Sequence, residues 1–322
     1  MKAAVGSQQG LVVRDAPAPK LKPADLLVKV RAIALNRADL GAAKGDASHG
    51  AAVGTPIGSE YSGEVIEVGP EAKGFKVGDR VMCYNPGAYA EVAVCDYGRA
   101  LPIPSGMSFE QAATLPIGLN TLHDALVTNG RLKAGESVLV QGASSGVGLL
   151  GLQIAKFKGA KLVIGSSTNA ARRAKLTEFG ADLAIDASDP DWPDQVLKAT
   201  DGKGVNLTVD MVSGSTVNQT MAASALLGRI VNIGRLGGMK AGFDFDLHAR
   251  KRIDYIGVTF RTRTLDEVRE IVRKMRAELW DAIVAGKFRM PIDRTFPLGQ
   301  APAAHAHMRA NAHFGKIILI TS

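Results

Sequence analysis

Cysteine is scarce in this chain, with only Cys83 and Cys95 among 322 residues. That excludes a disulfide framework and fits a reducing compartment, so a cytoplasmic setting is expected. The two thiols read as buried strand residues, or at most as one bridge. Aromatic residues make up 5% of the chain. This is too few for a broad stacking platform, and no aromatic-interleaved basic stripe is present to hold single-stranded nucleic acid. No apolar run approaches membrane-spanning length, and the N-terminus lacks an uninterrupted apolar signal core, so no membrane partner is expected. The net charge is +8, yet no Lys/Arg run exceeds a few residues. A basic balance suits an anionic partner such as a phosphorylated cofactor or nucleic acid, but without such a run the surplus reads as a solvated surface and nucleic acid is not expected. The six histidines contain no H-E-x-x-H pair, and His305 and His307, two apart on an expected helix, do not share a face.

Glycine is abundant, at 36 residues, as suits an α/β fold with many tight turns. The length exceeds what one core usually serves, so two domains are expected. Up to about residue 110 the chain reads as short strands separated by Gly and Pro. The expected strands are 26–32, 63–69, 76–82 and 89–94, a pattern of a compact barrel. Beyond Ser108 the pattern changes. Helical periods cover 109–113 and 121–128. Strands are then expected at 137–141, 161–165, 183–186, 206–210, 229–233 and 255–259, and helices near 148–157, 170–179, 193–199 and 216–225. Such alternation implies a doubly wound parallel sheet. A long amphipathic helix over 265–285 and an apolar strand over 315–320 follow, and that strand is expected to return to the first domain. The resulting domains are 1–115 with 260–322, and 116–259.

The most informative stretch is Ser137-Val-Leu-Val-Gln-Gly-Ala-Ser-Ser-Gly-Val-Gly-Leu149. An apolar strand runs into a turn of small residues and then a helix. Gly142, Gly146 and Gly148 let the backbone approach a bulky anion, and the helix aims unpaired N–H groups at it. Ser144, Ser145, Gly146 and Val147 are thus candidate pyrophosphate contacts. The second strand of the parallel series ends Val163-Ile-Gly-Ser-Ser-Thr-Asn169, without the acid that usually binds a ribose 2′-hydroxyl. Ser166 and Ser167 can instead bond a 2′-phosphate, and Arg172 and Arg173 can neutralise it. The expected cofactor is NADPH. Ile233 and Gly234 end a strand at the carboxyl edge, where ligands of such sheets bind.

The sequence resembles the zinc-free quinone oxidoreductases of the medium-chain dehydrogenase/reductase superfamily. The resemblance is carried by Asn36-Arg-Ala-Asp39, Gly58-Ser-Glu-Tyr-Ser-Gly-Glu-Val-Ile-Glu-Val-Gly69 and Phe75-Lys-Val-Gly-Asp-Arg-Val81. Gly87-Ala-Tyr-Ala-Glu91, Leu115-Pro-Ile-Gly-Leu-Asn-Thr121, Gly228-Arg-Ile-Val-Asn-Ile-Gly234 and Phe314-Gly-Lys-Ile-Ile-Leu319 complete the series, in order over the whole chain. Thr259-Phe-Arg-Thr-Arg263 leans toward the subgroup similar to the p53-inducible quinone reductase. The resemblance implies a GroES-like β-barrel catalytic domain, a Rossmann nucleotide-binding domain, and a homodimer paired through the edge strand 255–259 of the Rossmann sheet.

It also implies site residues. Zinc-dependent relatives carry Cys where Asn36 stands and His where Ser59 stands, leaving only Glu60 of a ligand set, so no metal is expected. Asn36 is the candidate to polarise an acceptor oxygen, unless its amide only satisfies loop backbone. Thr121 matches a residue beside the nicotinamide, Asn311 one that contacts the cofactor, and Tyr61 is a candidate lining residue. In related NADPH-binding members a lysine takes the position of Arg172, while a phosphate-holding Tyr is replaced here by Ala187. A Tyr assigned to the acceptor is absent, and Gly45-Asp-Ala-Ser-His49 stands there, with His49 as an alternative proton donor. The expected reaction is hydride transfer from NADPH to a quinone. The alternatives are reduction of an enoyl or 2-alkenal double bond, and, further off, a crystallin-like nucleotide- or RNA-binding role.

Overall fold

The computed structural model describes residues 1–7, 10–45 and 54–321. The chain divides into two compact units, Met1–Ile117 with Phe260–Ser322, and Gly118–Thr259.

The first unit is built on a seven-stranded sheet. Its path runs Ile292–Pro297, Lys316–Ile320, Asp25–Ala34, Glu60–Val68, Arg80–Tyr84 and Ala100–Pro102, with Val92–Asp96 also paired to Asp25–Ala34. All pairings are antiparallel except that of Ile292–Pro297 with Lys316–Ile320. The C-terminal strand therefore does return to the first-half sheet. Asp25–Ala34 is longer than the sequence pattern suggests, and register shifts at Leu27/Val28 and Val30/Ala32 bend it. That bend lets it serve three partners. Leu26, Val28, Val30, Tyr61, Val81, Cys83 and Leu319 form the core of this unit. Both cysteines are free and buried. The helix Leu265–Val284 opens with a reciprocal capping box between Thr264 and Glu267.

The second unit is a six-stranded parallel sheet in the order Leu183–Ile185, Leu162–Ser166, Ser137–Gln141, Val205–Asp210, Ser224–Asn232, Asp254–Gly257. Numbered within the unit this is 3-2-1-4-5-6, the doubly wound order, with its switch point between Ser137–Gln141 and Val205–Asp210. Every residue of Ser137–Gln141 is buried, as a central strand covered on both faces requires. One helix departs from expectation. The period over 170–179 breaks into an α-turn at Ala170–Arg173 and a 3-10 turn at Leu176–Phe179. Leu176 and Phe179, both buried, eclipse each other at the i,i+3 spacing of a 3-10 turn, which docks both into one place. Ser224–Asn232 starts five residues earlier than expected and takes over the end of the preceding helix. Among the described residues no helix is long and apolar enough to cross a membrane.

Candidate active site

The switch point carries an anion cradle. Gly142 turns the chain at φ +74°, and Ser145 caps the helix Gly146–Phe157 by accepting from Gly148 N–H at 3.0 Å. The N–H groups of Gly146 and Val147 lie ahead of the first in-helix acceptor and point outward with the helix dipole. Gly148 has no substitute here, because a Cβ would stand 2.7 Å from Ala143 Cα and carbonyl oxygen. The glycine thus lets the helix start pack directly on the backbone of the Gly142 turn. This geometry suits a dinucleotide pyrophosphate.

Beside the cradle two of the expected residues meet. Ser144 Oγ lies 2.9 Å from Ser167 Oγ, joining the Gly142 turn to the end of Leu162–Ser166. Ser166 sits behind it, fully buried. Its hydroxyl donates to Gln141 Oε1 and accepts from Gly142 N–H, so it shapes the turn rather than facing a ligand. Arg173 donates to the Ser167 carbonyl and pairs with Asp186 at 2.9 Å. It therefore neutralises the carboxylate at the end of the third strand, and Ser188 and Arg173 together hold that carboxyl below its usual range. Arg172 stands half-buried in the Asn169-capped turn. Across the switch point, Ser145 Oγ approaches Met211 Sδ at 3.4 Å. Gly234 packs on the Met211 backbone, where a Cβ would meet the carbonyl at 2.7 Å. The N–H groups of Ile233 and Gly234 are both given to the Asp210 carbonyl. Thr121 is half-buried in the second half of the helix Pro116–His123, away from that helix's start.

In the first unit the register of three strands builds a buried polar cluster. Ala34 pairs with Ile318, and Ile33 with Tyr61, so two residues beyond Ala34 the chain meets both Lys316 and Glu60. Lys316 Nζ donates to Asn36 Oδ1 at 2.7 Å and to Glu60 Oε2 at 2.6 Å. Asn36 Nδ2 donates to Glu60 Oε2 at 3.0 Å, and Ile117 N–H to Glu60 Oε1 at 2.7 Å. The side chains of Lys316 and Glu60 are 4% and 0% exposed, so this is an ion pair removed from water. Asn36 is thus no plain loop amide. Its neighbour Arg37 donates to Asn311 Oδ1 at 2.8 Å, tying the Asn36 loop to the left-handed turn at Asn311 (φ +52°) after the helix Ala301–Arg309.

A second buried chain supports the loop. Asp39 Oδ2 accepts from Asn36 N–H at 2.8 Å and from the Tyr89 hydroxyl at 2.9 Å. Tyr89 Oη lies 3.2 Å from His305 Nε2. Because the single Tyr89 hydrogen goes to Asp39, His305 Nε2 must donate, which leaves Nδ1 as a buried nitrogen without a partner among the described residues. Burial pushes Asp39 up to about 6, against the pull of its two donors and of Lys316. Burial and the charge of Arg309 lower His305 to about 4.

Tyr61 departs from the expectation of a lining residue. It is fully buried, donates its hydroxyl to the Val94 carbonyl at 2.7 Å, and belongs to the core. Successive strand residues face opposite ways, so it is Glu60 that points to Asn36. Lys316 was missed because it opens an otherwise apolar strand. A lone lysine at a position bound for burial is the signal that marks it. His49 lies outside the described residues.

A family model described as zinc-binding dehydrogenase matches residues 146–277, and one described as the alcohol dehydrogenase GroES-like domain matches 22–105. The parallel unit is thus a Rossmann-like domain and the antiparallel one GroES-like. A quinone oxidoreductase of Pseudomonas aeruginosa is 34% identical over 99% of this chain and 98% of its own length. A phenolphthiocerol synthesis polyketide synthase of Mycobacterium marinum is 31% identical over 98% of this chain, which spans 14% of that protein. The crystal structure of Escherichia coli quinone oxidoreductase complexed with NADPH aligns with a TM-score of 0.87 at 25% identity, over 99% of this chain and 98% of that one. Zinc does not fit the residues present. Asn36 and Ser59 replace a thiolate and an imidazole, and the Glu60 carboxylate is already held by the Lys316 ammonium. The chain belongs to the zinc-free quinone oxidoreductase family of the medium-chain dehydrogenase/reductase superfamily.

Proposed function

We propose that this protein is an NADPH-dependent, zinc-independent reductase that transfers hydride to a quinone. The observation that carries the cofactor assignment is the end of Leu162–Ser166. There Ser167 meets Ser144 of the cradle, Arg172 follows in the turn Ala170–Arg173, no acid stands between Val163 and Asn169, and the nearby Asp186 is neutralised by Arg173. A 2′-phosphate meets a hydroxyl and a guanidinium at such an edge, where a free carboxylate would repel it.

In this reading the bound nicotinamide nucleotide supplies the hydride, and the chain supplies position and polarity. The Gly146 and Val147 N–H groups, with Ser144 and Ser145, hold the pyrophosphate. Ile233 and Gly234 form backbone beside the nicotinamide, Thr121 flanks it, and Asn311 with Arg37 frames the Asn36 loop. Asn36 donates Nδ2–H to the acceptor oxygen. Tyr61 has no part in it.

Steady-state rates test the cofactor assignment. The kcat/KM for NADPH exceeds that for NADH. Arg172→Ala lowers the NADPH value by about 10- to 100-fold, the worth of one charge-assisted hydrogen bond, and leaves NADH unchanged. A wild-type preference for NADH overturns it. The likeness to a polyketide synthase segment favours one second reading, reduction of a conjugated enoyl or 2-alkenal double bond. That acceptor also presents a carbonyl oxygen to Asn36.

The proposal extends to assembly. Among the described residues Asp254–Gly257 is an edge strand paired on one side only, and Leu226, Leu227 and Phe245 are exposed on the same unit. Pairing this edge with a second copy removes an unprotected strand. Sedimentation at micromolar concentration is expected to give twice the chain mass, and a monomer contradicts it.

A further inference from the structure

We infer that Lys316 is a positioning residue for acceptor reduction, its ammonium fixing the Asn36 carboxamide and strengthening it as a donor to the acceptor oxygen. This rests on the reductase reading above.

Three observations carry it. First, the orientation of the amide is decided by charge. Oδ1 faces the ammonium at 2.7 Å and Nδ2 faces the carboxylate at 3.0 Å. A flipped amide would turn its NH₂ group toward the ammonium and its oxygen toward the carboxylate, so only one orientation is compatible with the pair. Second, one amide hydrogen is only weakly held. Nδ2 gives one to Glu60, while its other contact, to the Ala34 carbonyl, is 3.4 Å, near the limit of a hydrogen bond. Asn36 itself is half-buried, whereas Lys316 and Glu60 are closed off from solvent. Third, a cation on the amide oxygen draws electron density away from nitrogen. In a medium of low dielectric this makes the other Nδ2–H a stronger donor than it would be beside the Glu60 carboxylate alone.

A donor so arranged acts where charge develops. As hydride reaches a quinone, its carbonyl oxygen becomes negative, and the Asn36 amide stabilises that charge before a solvent proton completes the hydroquinone. Quinone, NADPH and one proton give hydroquinone and NADP⁺, so neither Lys316 nor Glu60 changes its net protonation. Lys316 touches neither reactant and acts through Asn36.

The test compares Lys316→Met/Glu60→Gln, Lys316→Arg and wild type. The double variant removes both charges together and so avoids a stranded buried carboxylate. With 1,2-naphthoquinone its kcat is expected to fall by about 10- to 100-fold while KM for NADPH is unchanged, and Lys316→Arg is expected to recover part of the loss. Independently of turnover, ¹⁵N-asparagine labelling reports the Asn36 carboxamide, assigned through Asn36→Asp. Its resonances are expected to move in the double variant and stay close to wild type in Lys316→Arg. A double variant with wild-type kcat, or an unmoved Asn36 resonance, overturns the role of Lys316. Wild-type protein inactive toward both naphthoquinone and an α,β-unsaturated ketone overturns the reductase reading itself, and this role with it.

Discussion

Lys316→Met is expected to lower the unfolding free energy by about 3–5 kcal/mol, the usual cost of stranding one partner of a buried ion pair. The geometry explains the size. Glu60 is fully buried and accepts from Lys316, Asn36 and Ile117. Without the ammonium, its charge keeps only two neutral donors. Asn36 Oδ1 loses its partner at the same time. Lys316→Met/Glu60→Gln is expected to recover most of the loss, because a neutral pair of similar volume avoids desolvating two ions. Urea unfolding with an unchanged m value measures both. A single variant within about 0.5 kcal/mol of wild type would mean that the pair is solvated in solution.

The second large effect is in the pH dependence of stability, and it comes from two groups of opposite sign. Asp39, raised to about 6, stabilises the fold fully below the unfolded value of about 3.9, and this is lost as pH rises through about 6. His305, lowered to about 4, stabilises the fold fully above its unfolded value of about 6.5, and this is lost as pH falls toward about 4. Between about pH 4 and 6 the two slopes cancel in the wild type. Removing one exposes the other. From pH 7 to pH 4, His305→Gln is expected to gain about 3 kcal/mol relative to wild type, and Asp39→Asn to lose about 3 kcal/mol. Other titrating groups are common to all three proteins and drop out of the differences. Variant curves parallel to wild type would contradict the burial of this chain of groups.

The Rossmann-like half was legible because its signals are local. A continuous apolar run such as Ser137–Gln141 is what a strand buried on both faces requires, and Gly142 and Gly148 mark a turn that leaves no room for side chains. The break in 170–179 was not legible, because Leu176 and Phe179 satisfy an α-helical period as well as a 3-10 one. The polar cluster of the first unit was illegible for a different reason. Asn36, Glu60 and Lys316 are brought together by strand register across 280 positions of sequence. Tyr61 and Glu60 are neighbours in one strand, and alternation sends the first into the core and the second to Asn36. The Asp39–Tyr89–His305 chain likewise joins the start of the short helix Asp39–Ala42, a segment beside the Ala90 bridge and a late helix, none of which announces the others.

The most direct measurement of the central claim is NADPH oxidation at 340 nm with 1,2-naphthoquinone, before and after exhaustive dialysis against a zinc chelator. Because an ammonium occupies Glu60 and, in the proposed reaction, hydrogen bonds polarise the acceptor, the rate is expected to be the same in both samples and unaffected by added zinc. No oxidation, or activity lost to the chelator and restored by zinc, contradicts the account.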